Sequence, residues 1–508
     1  MADPRRAASR ALIVLAGAGT LYALGLLAAF YLHRFDVRRH HIESASFILI
    51  ALLLALVFTR RVESEEPFTA HAVMPSARVL TVAAIGLALL QYWPVVGAGL
   101  FADDFVLLEA ARQGRLTVWS ELFRPAIFVV WRAVAALTAS PAASMHLLNI
   151  VLHGVNAAMV GALVMRMGLP NWSIVSGVLF LVFPPAVEAV AWPAGLQDVL
   201  MTTFVLAFLL SVMAPGSNVR ATIGSLILLV AALLTKETAV CAPMLALCLC
   251  FPNQRWRDTW QRIGLAVLAV AGFLVVRMAL LPMPDTFRAL PDRYGLKELM
   301  VRPFQTLLVP LRTSEIEAFP LVALALAAVV VIALYAAAIG WSRRSRAFHT
   351  TLAAVCAIFA AVAPVYSYFF VTGDMQGTRY LYLASASWVL LAVNVLDAAT
   401  VRHRLAVRAA AAFLVVCGLA ATRAHIELWL DAAESRDWIV ASAEARMKAP
   451  CARWAVFGLP AEIRGVPAFV NGFPEAMRSR TPAPIRVAPE DADPAECRLT
   501  WTGGNFRD

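Results

Sequence analysis

Asp103 and Asp104 stand side by side in FADDFVLLEAARQGRL, directly after a long apolar run. A carboxylate so placed can take the proton from a hydroxyl, as a general base does. It can also cap a helix, because the first backbone N–H groups of a helix lack partners. The stretch from Phe105 to Arg112 has helical spacing, with Phe105, Leu108 and Ala111 on one side. Neighbouring helical residues point about 100° apart, so the two aspartates cannot share one job. One as cap and one as base is the natural division.

Four further units carry polar chemistry inside apolar sequence. In HLLNIVLHGVN, residues His146, Asn149, His153 and Asn156 recur at spacings of three and four and so share one helix face. Such a stripe faces protein or water rather than lipid, either as a cavity wall or as a hydrogen-bonded seam. In FPPAVEAVAWPAGLQDVL, Glu188 lies near the end of one apolar run, and Gln197 and Asp198 open the next. Prolines 184, 185 and 193 break helices there. Lys236-Glu237 joins two apolar runs with almost no linker. The pair is either a neutral ion pair at a tight turn or a cation offered to a phosphate and set by its neighbour. Arg379 opens another run in GTRYLYLAS, beside Tyr380 and Tyr382. Aromatic and basic residues anchor helices at membrane interfaces, and an arginine there can also clasp a lipid phosphate with two N–H groups.

The elements that position these residues must be membrane helices. Of 508 residues 61% are hydrophobic and only 15% charged, against about 25% charged in soluble proteins. Apolar runs recur at about 11–33, 46–59, 79–100, 144–166, 173–191, 197–214, 221–235, 238–252, 262–281, 319–341, 350–370, 380–398 and 405–421, long enough in most cases to span a bilayer. The predicted fold class is therefore an all-α polytopic membrane protein of about 13 transmembrane helices. The run after MADPRRAASR is too long for a signal-peptide core and is expected to be retained. With the N-terminus in the cytoplasm, loops rich in arginine fall inside, among them those with Arg60, Arg61 and Arg78, with Arg343, Arg344 and Arg346, and with Arg402 and Arg404. Arg34, Arg38 and Arg39 dissent. The C-terminus then lies outside. The net charge of +10 follows this loop pattern, and no nucleic-acid-binding motif accompanies it. Lysine occurs only at 236, 297 and 448 beside many arginines, a bias that favours a bacterial inner membrane.

Under this map residues 1–421 form the membrane domain. Its first outer loop covers about 101–143 and its second about 282–318. Residues 422–508 form a small extracytoplasmic domain on an amphipathic helix at about 422–448. Cys451 and Cys497 lie in that polar tail, where an oxidising compartment would allow a disulfide. Closing a loop of that size contributes about 4 kcal/mol in the chain-entropy model; the alternative is two unpaired thiols. The other five cysteines lie in apolar runs as small packing residues.

As an ordered set the motifs resemble the GT-C superfamily of polytopic glycosyltransferases, which use polyprenyl- or dolichyl-phosphate sugars. FADDF, FRPAIFVVWR, HLLNIVLHGVN, FPPAVEAVAW with GLQDVL, LLTKETAV, GTRYLYLAS and TRAHIELW follow one another from about 101 to 429. Their order looks most like the branch of transmembrane and tetratricopeptide-repeat O-mannosyltransferases and its bacterial relatives. The resemblance implies that Asp103, or next Asp104, is the general base of an inverting single displacement. It also implies that Lys236 and Arg379 meet the carrier phosphate, with Arg124, Glu188, His153, Glu237 and Tyr382 in the same cavity. The repeats are absent, and a tail containing VFGLPAEIRGVPAFVNGFPEAM stands in their place.

The expected function is transfer of a sugar from a polyprenyl-phosphate carrier to a glycan, lipid or protein acceptor on the periplasmic or outer face. A transporter or lipid flippase would also line a cavity with charge, but would use a path open to both sides and often paired repeats. A non-catalytic glycan-assembly scaffold is the third reading. No cofactor is expected. A divalent metal beside Asp103, Asp104 and Glu188 is demanded by no spacing, and none is predicted.

Overall fold

The computed structural model describes residues 76–115, 118, 122–214, 219–250, 256–281, 302–308, 310, 346–366, 371–448, 451–478, 480–481, 483–487, 496–504 and 506–507. The expected spans at about 11–33, 46–59 and 319–341 lie outside these residues, as do the dissenting arginines and most of the second outer loop.

Six helical stretches among the described residues are long and apolar enough to cross a membrane: Ala77–Gly97, Pro141–Arg166, Pro193–Val212, Thr259–Ala279, Thr378–Ala398 and Val407–Arg446. A seventh is split. Pro170–Leu181 and Pro184–Ala191 meet at 54°, because Pro184 and Pro185 cannot continue the helix that precedes them. The expected spans at 221–235, 238–252 and 350–370 are the shorter apolar helices Val219–Thr235, Glu237–Cys250 and His349–Pro364. Large apolar side chains point outward, among them Val82 and Leu90 on the first helix and Leu268 and Val275 on Thr259–Ala279. A water-facing surface would not carry so continuous an apolar patch; lipid accounts for it, and the chain is a multi-pass membrane protein.

Ser76 caps helix α1 (Ala77–Tyr92), its hydroxyl accepting from Val79. The chain then tightens into a 3-10 turn at Trp93–Gly97 and enters helix α2 (Asp103–Arg112). Helix α3 (Pro125–Leu137) follows inside what the sequence predicts as an outer loop. It is apolar and leaves Val129 and Leu137 exposed, as a helix lying against lipid does. Helix α4 (Pro141–Arg166) is the central post. It packs on α1 so closely that a Cβ on Gly154 would sit 2.6 Å from the Cα of Ile85, the close backbone approach that small residues permit in membranes.

Helical hydrogen bonding runs from Tyr382 through Arg446, yet this stretch is not one rod. A straight helix would hold residues 382 and 422 about 60 Å apart. Both ends instead touch the same segment: the Tyr382 ring lies 5.3 Å from Phe180, and Thr422 donates to the Val182 carbonyl at 2.9 Å. The chain therefore reverses between its two spans, Thr378–Ala398 and Val407–Arg446. The amphipathic helix expected at about 422–448 continues the second of these without a break. Its inward stripe of Ile426, Trp429, Ala432, Ala433, Ile439, Val440 and Ala443 is buried.

The tail folds on that stripe. Strand β1 (Trp454–Phe457) lies between β4 (Ile485–Val487) and β5 (Cys497–Trp501), parallel to both. Strand β6 (Phe506–Arg507) pairs antiparallel with β5, and β2 (Glu462–Ile463) with β3 (Val466–Pro467). Trp454, Val456, Leu499 and Phe506 share one core with Ile439, Val440 and Met447 of the long helix. Cys451 and Cys497 are joined in a disulfide, with their Cα atoms 6.3 Å apart.

Candidate active site

The two aspartates have separate surroundings. Asp104 is fully buried; Oδ2 accepts from the Phe101 backbone N–H and Oδ1 from that of Ala194, each at 2.7 Å. It thus ties the start of its helix back to the preceding turn and pins it to the 3-10 turn Pro193–Gly195. Burial pushes the Asp104 carboxyl well above the usual carboxylate range, against the pull of these two donors. A raised carboxyl would suit a proton acceptor, but both oxygens are engaged and solvent cannot reach them. Asp103 is half-buried, and its Oδ1 accepts from Asn471 at 2.7 Å.

The segment before them is held on every side. Arg436 donates to the carbonyls of Ala98 at 2.8 Å and Leu100 at 2.6 Å, His146 to that of Gly99 at 2.8 Å, and the Trp192 indole to that of Phe101 at 3.4 Å. Ala102 then takes φ +38°, a conformation that L-residues rarely adopt. Sequence reasoning missed Arg436. Its signal was present: position 436 falls on the apolar stripe of an amphipathic helix, where a charge needs a reason.

The cations and carboxylates gather where helices break. Lys236 is extended between helix Val219–Thr235 and the 3-10 turn Glu237–Cys241. Arg379 follows Gly377, whose φ of +82° starts the 3-10 turn Thr378–Leu381, and Arg124 precedes α3. Each cation meets a carboxylate. Lys236 Nζ donates to Asp198 Oδ1 at 2.5 Å. Arg124 holds Glu237 through Nε at 2.8 Å and through Nη2, and reaches Gln197 with Nη1. Arg379 Nη1 donates to Glu188 Oε1 at 2.6 Å; its backbone N–H and the Thr378 hydroxyl donate to Oε2 at 3.0 and 3.2 Å.

These pairs form one electrostatic group. Arg379 stacks 4.3 Å from the Trp192 ring and donates to the Tyr380 hydroxyl at 2.7 Å. Lys236 lies 4.5 Å from the Tyr380 ring. Arg379 lies over the same ring at 4.6 Å. Mutual pairing is what makes three such cations tolerable in a buried place. Arg379 Nε and Asp198 Oδ2 are buried without a hydrogen-bond partner among the described residues, so the group has donor and acceptor capacity to spare.

The stripe on α4 is a seam. His153 Nδ1 and the Tyr382 hydroxyl are 2.7 Å apart, and Asn156 donates to that hydroxyl at 3.2 Å and to the Val199 carbonyl at 3.0 Å. Asn149 donates to the Trp192 carbonyl at 2.8 Å. His153 and Tyr382 are fully buried, and their polar atoms are spent on one another and on neighbouring elements. In this arrangement they tie together the helices that carry the charged group. Arg124, Glu188, Asp198, Lys236, Glu237 and Arg379 are brought together; Asp103 lies two residues beyond Phe101, whose carbonyl accepts from the Trp192 indole under Arg379, and His153 and Tyr382 bond to one another instead.

No family model matches the chain, and no curated protein matches it in sequence. In fold it is similar to the crystal structure of ArnT from Cupriavidus metallidurans bound to undecaprenyl phosphate, at 14% identity and a TM-score of 0.38. The match covers 81% of this chain and 90% of that one. The likeness is distant and carries no correspondence between individual residues.

Proposed function

We propose that this chain is a GT-C-type glycosyltransferase that moves a sugar from a polyprenyl-phosphate carrier to an acceptor hydroxyl on the non-cytoplasmic face. The observation that carries this reading is a buried group of three cations, each held by a carboxylate, whose Arg379 stacks on Trp192, the ring that donates to the Phe101 carbonyl two residues before Asp103. In a single inverting displacement the acceptor oxygen attacks the anomeric carbon as Asp103 takes its proton. The bond from that carbon to the phosphate oxygen breaks, and the electron pair leaves with the phosphate. Arg379 and Lys236, with Arg124 behind them, stabilise the charge that gathers there. Glu188, Asp198 and Glu237 hold the cations in place until the phosphate arrives. A disulfide in the tail suits the oxidising side of a bacterial inner membrane. The resemblance to O-mannosyltransferases supplies neither the sugar nor the acceptor.

The test compares wild type, Asp103→Asn and Asp104→Asn in a deletion strain, by the mass of lipid-linked and envelope glycans. Wild type restores a sugar-sized unit, whereas Asp103→Asn inserts normally and leaves the glycan as in the deletion. Full restoration by Asp103→Asn would make the carboxylate structural and move a flippase or an assembly scaffold to the front.

A further inference from the structure

The tail domain reaches over the membrane domain to the candidate base itself. The Ala468 carbonyl accepts from the Ala102 backbone N–H at 3.1 Å, one residue before Asp103. Gly472 sits so close that a Cβ there would lie 2.3 Å from the Ala102 carbonyl oxygen, and its φ of +85° favours glycine. Between these two contacts Asn471 places its side-chain amide against Asp103 Oδ1 at 2.7 Å. Farther along, Arg478 pairs with Glu109 on the same helix.

Asn471 is exposed, and the Asp103 contact is the one hydrogen bond that its side chain makes among the described residues. It therefore adds little to the tail's own fold. Phe469 and Phe473 on either side are buried in the tail core and pack edge to face at 5.2 Å, so the loop that presents Asn471 is anchored at both ends. One oxygen of Asp103 is fixed in this way. The other has no hydrogen bond among the described residues and is left to take a proton.

The geometry points to Asn471 as a positioning residue: an amide supplied by the tail domain that orients the carboxylate of Asp103 toward the acceptor hydroxyl. The inference rests on the glycosyl-transfer reading above. In chemical terms it assigns the tail to the acceptor side of the reaction, since the group it touches is the proton acceptor and not the phosphate-facing cations. A hydrogen bond to a charged group is worth enough to change a rate by about tenfold or more when it holds the reacting geometry.

The experiment uses the full chain in the deletion strain and reads two quantities. The first is the initial rate at which the missing glycan unit returns after induced expression, per inserted molecule. The second is the affinity of the purified protein for undecaprenyl phosphate. Non-reducing gel mobility checks that the Cys451–Cys497 disulfide has formed. Asn471→Ala is expected to slow the return about tenfold, with affinity for undecaprenyl phosphate unchanged. Asn471→Gln, which keeps an amide donor on a longer stem, is expected to recover part of the rate. Arg478→Ala removes a different contact between tail and helix and is expected to behave as wild type.

A wild-type rate for Asn471→Ala overturns the positioning role. Equal slowing by Arg478→Ala overturns it too, leaving Asn471 as one docking contact among several. Loss of undecaprenyl phosphate binding in Asn471→Ala would move the residue to the donor side and also overturn the assignment. If Asp103→Asn itself works at the wild-type rate, the transfer reading falls and the role of Asn471 falls with it.

Discussion

Asp103 and Asp104 are neighbours, and the turn of a helix sends their side chains in different directions. Asp104 goes inward to two backbone donors, and Asp103 goes to the rim. Asp104→Asn offers one acceptor where two N–H groups need one each, so it should cost about 1–3 kcal/mol of stability. Thermal unfolding in detergent should show a lowered midpoint for Asp104→Asn and an unchanged one for Asp103→Asn. Arg379 makes a different case. It stacks on Trp192 while holding Glu188, and a lysine can reproduce the charge but neither the stack nor the planar fork. Arg379→Lys should bind undecaprenyl phosphate at least about tenfold more weakly, a loss of about 1.4 kcal/mol, by equilibrium binding to the solubilised protein. That the two aspartates cannot share one place was legible from spacing. Which of them turns inward was not, because Ala194, a partner 90 residues away, decides it.

At the scale of elements, the charged residues lie where proline, glycine or a change of helix type interrupts an apolar run. Such breaks expose backbone that must be satisfied inside protein. They also bring cations and carboxylates of different elements into pairs. This much was legible: Pro184, Pro185, Pro193 and the Lys236-Glu237 junction all announce breaks. The pairing was not legible, since Lys236 takes Asp198 and leaves its sequence neighbour Glu237 to Arg124. The α4 stripe was legible as a polar face but not as a seam, because a cavity wall has the same spacing. The seam makes a prediction that a cavity wall would not. Tyr382→Phe removes a hydroxyl shared by His153 and Asn156 and leaves two buried groups short of a partner. It should lower stability by about 1–3 kcal/mol while affinity for undecaprenyl phosphate stays as in wild type. A parallel fall in affinity would put Tyr382 back in the binding site.

At the scale of the whole molecule, the tail and the membrane domain are linked by one helix, Val407–Arg446, which supplies a membrane-facing half and a half that completes the strand domain's core. A small sheet with strands of two to five residues buries little of its own and needs that helix and a cross-link. The cross-link ties the start of β5 to the chain entering β1. In the chain-entropy model a loop of 46 residues is worth about 4 kcal/mol. Cys451→Ser with Cys497→Ser should therefore loosen the tail first, while the membrane helices stay folded. Limited proteolysis from the outer side of spheroplasts should cut the double variant within residues 451–508 and spare wild type. Because Asn471 is carried by the same domain, the variant should also lose glycan restoration in proportion to the fraction cut. Intact tails with full restoration would mean that the membrane helix alone holds the domain in place. Cleavage only after the cells are opened would put the tail, and with it Asp103, on the cytoplasmic side.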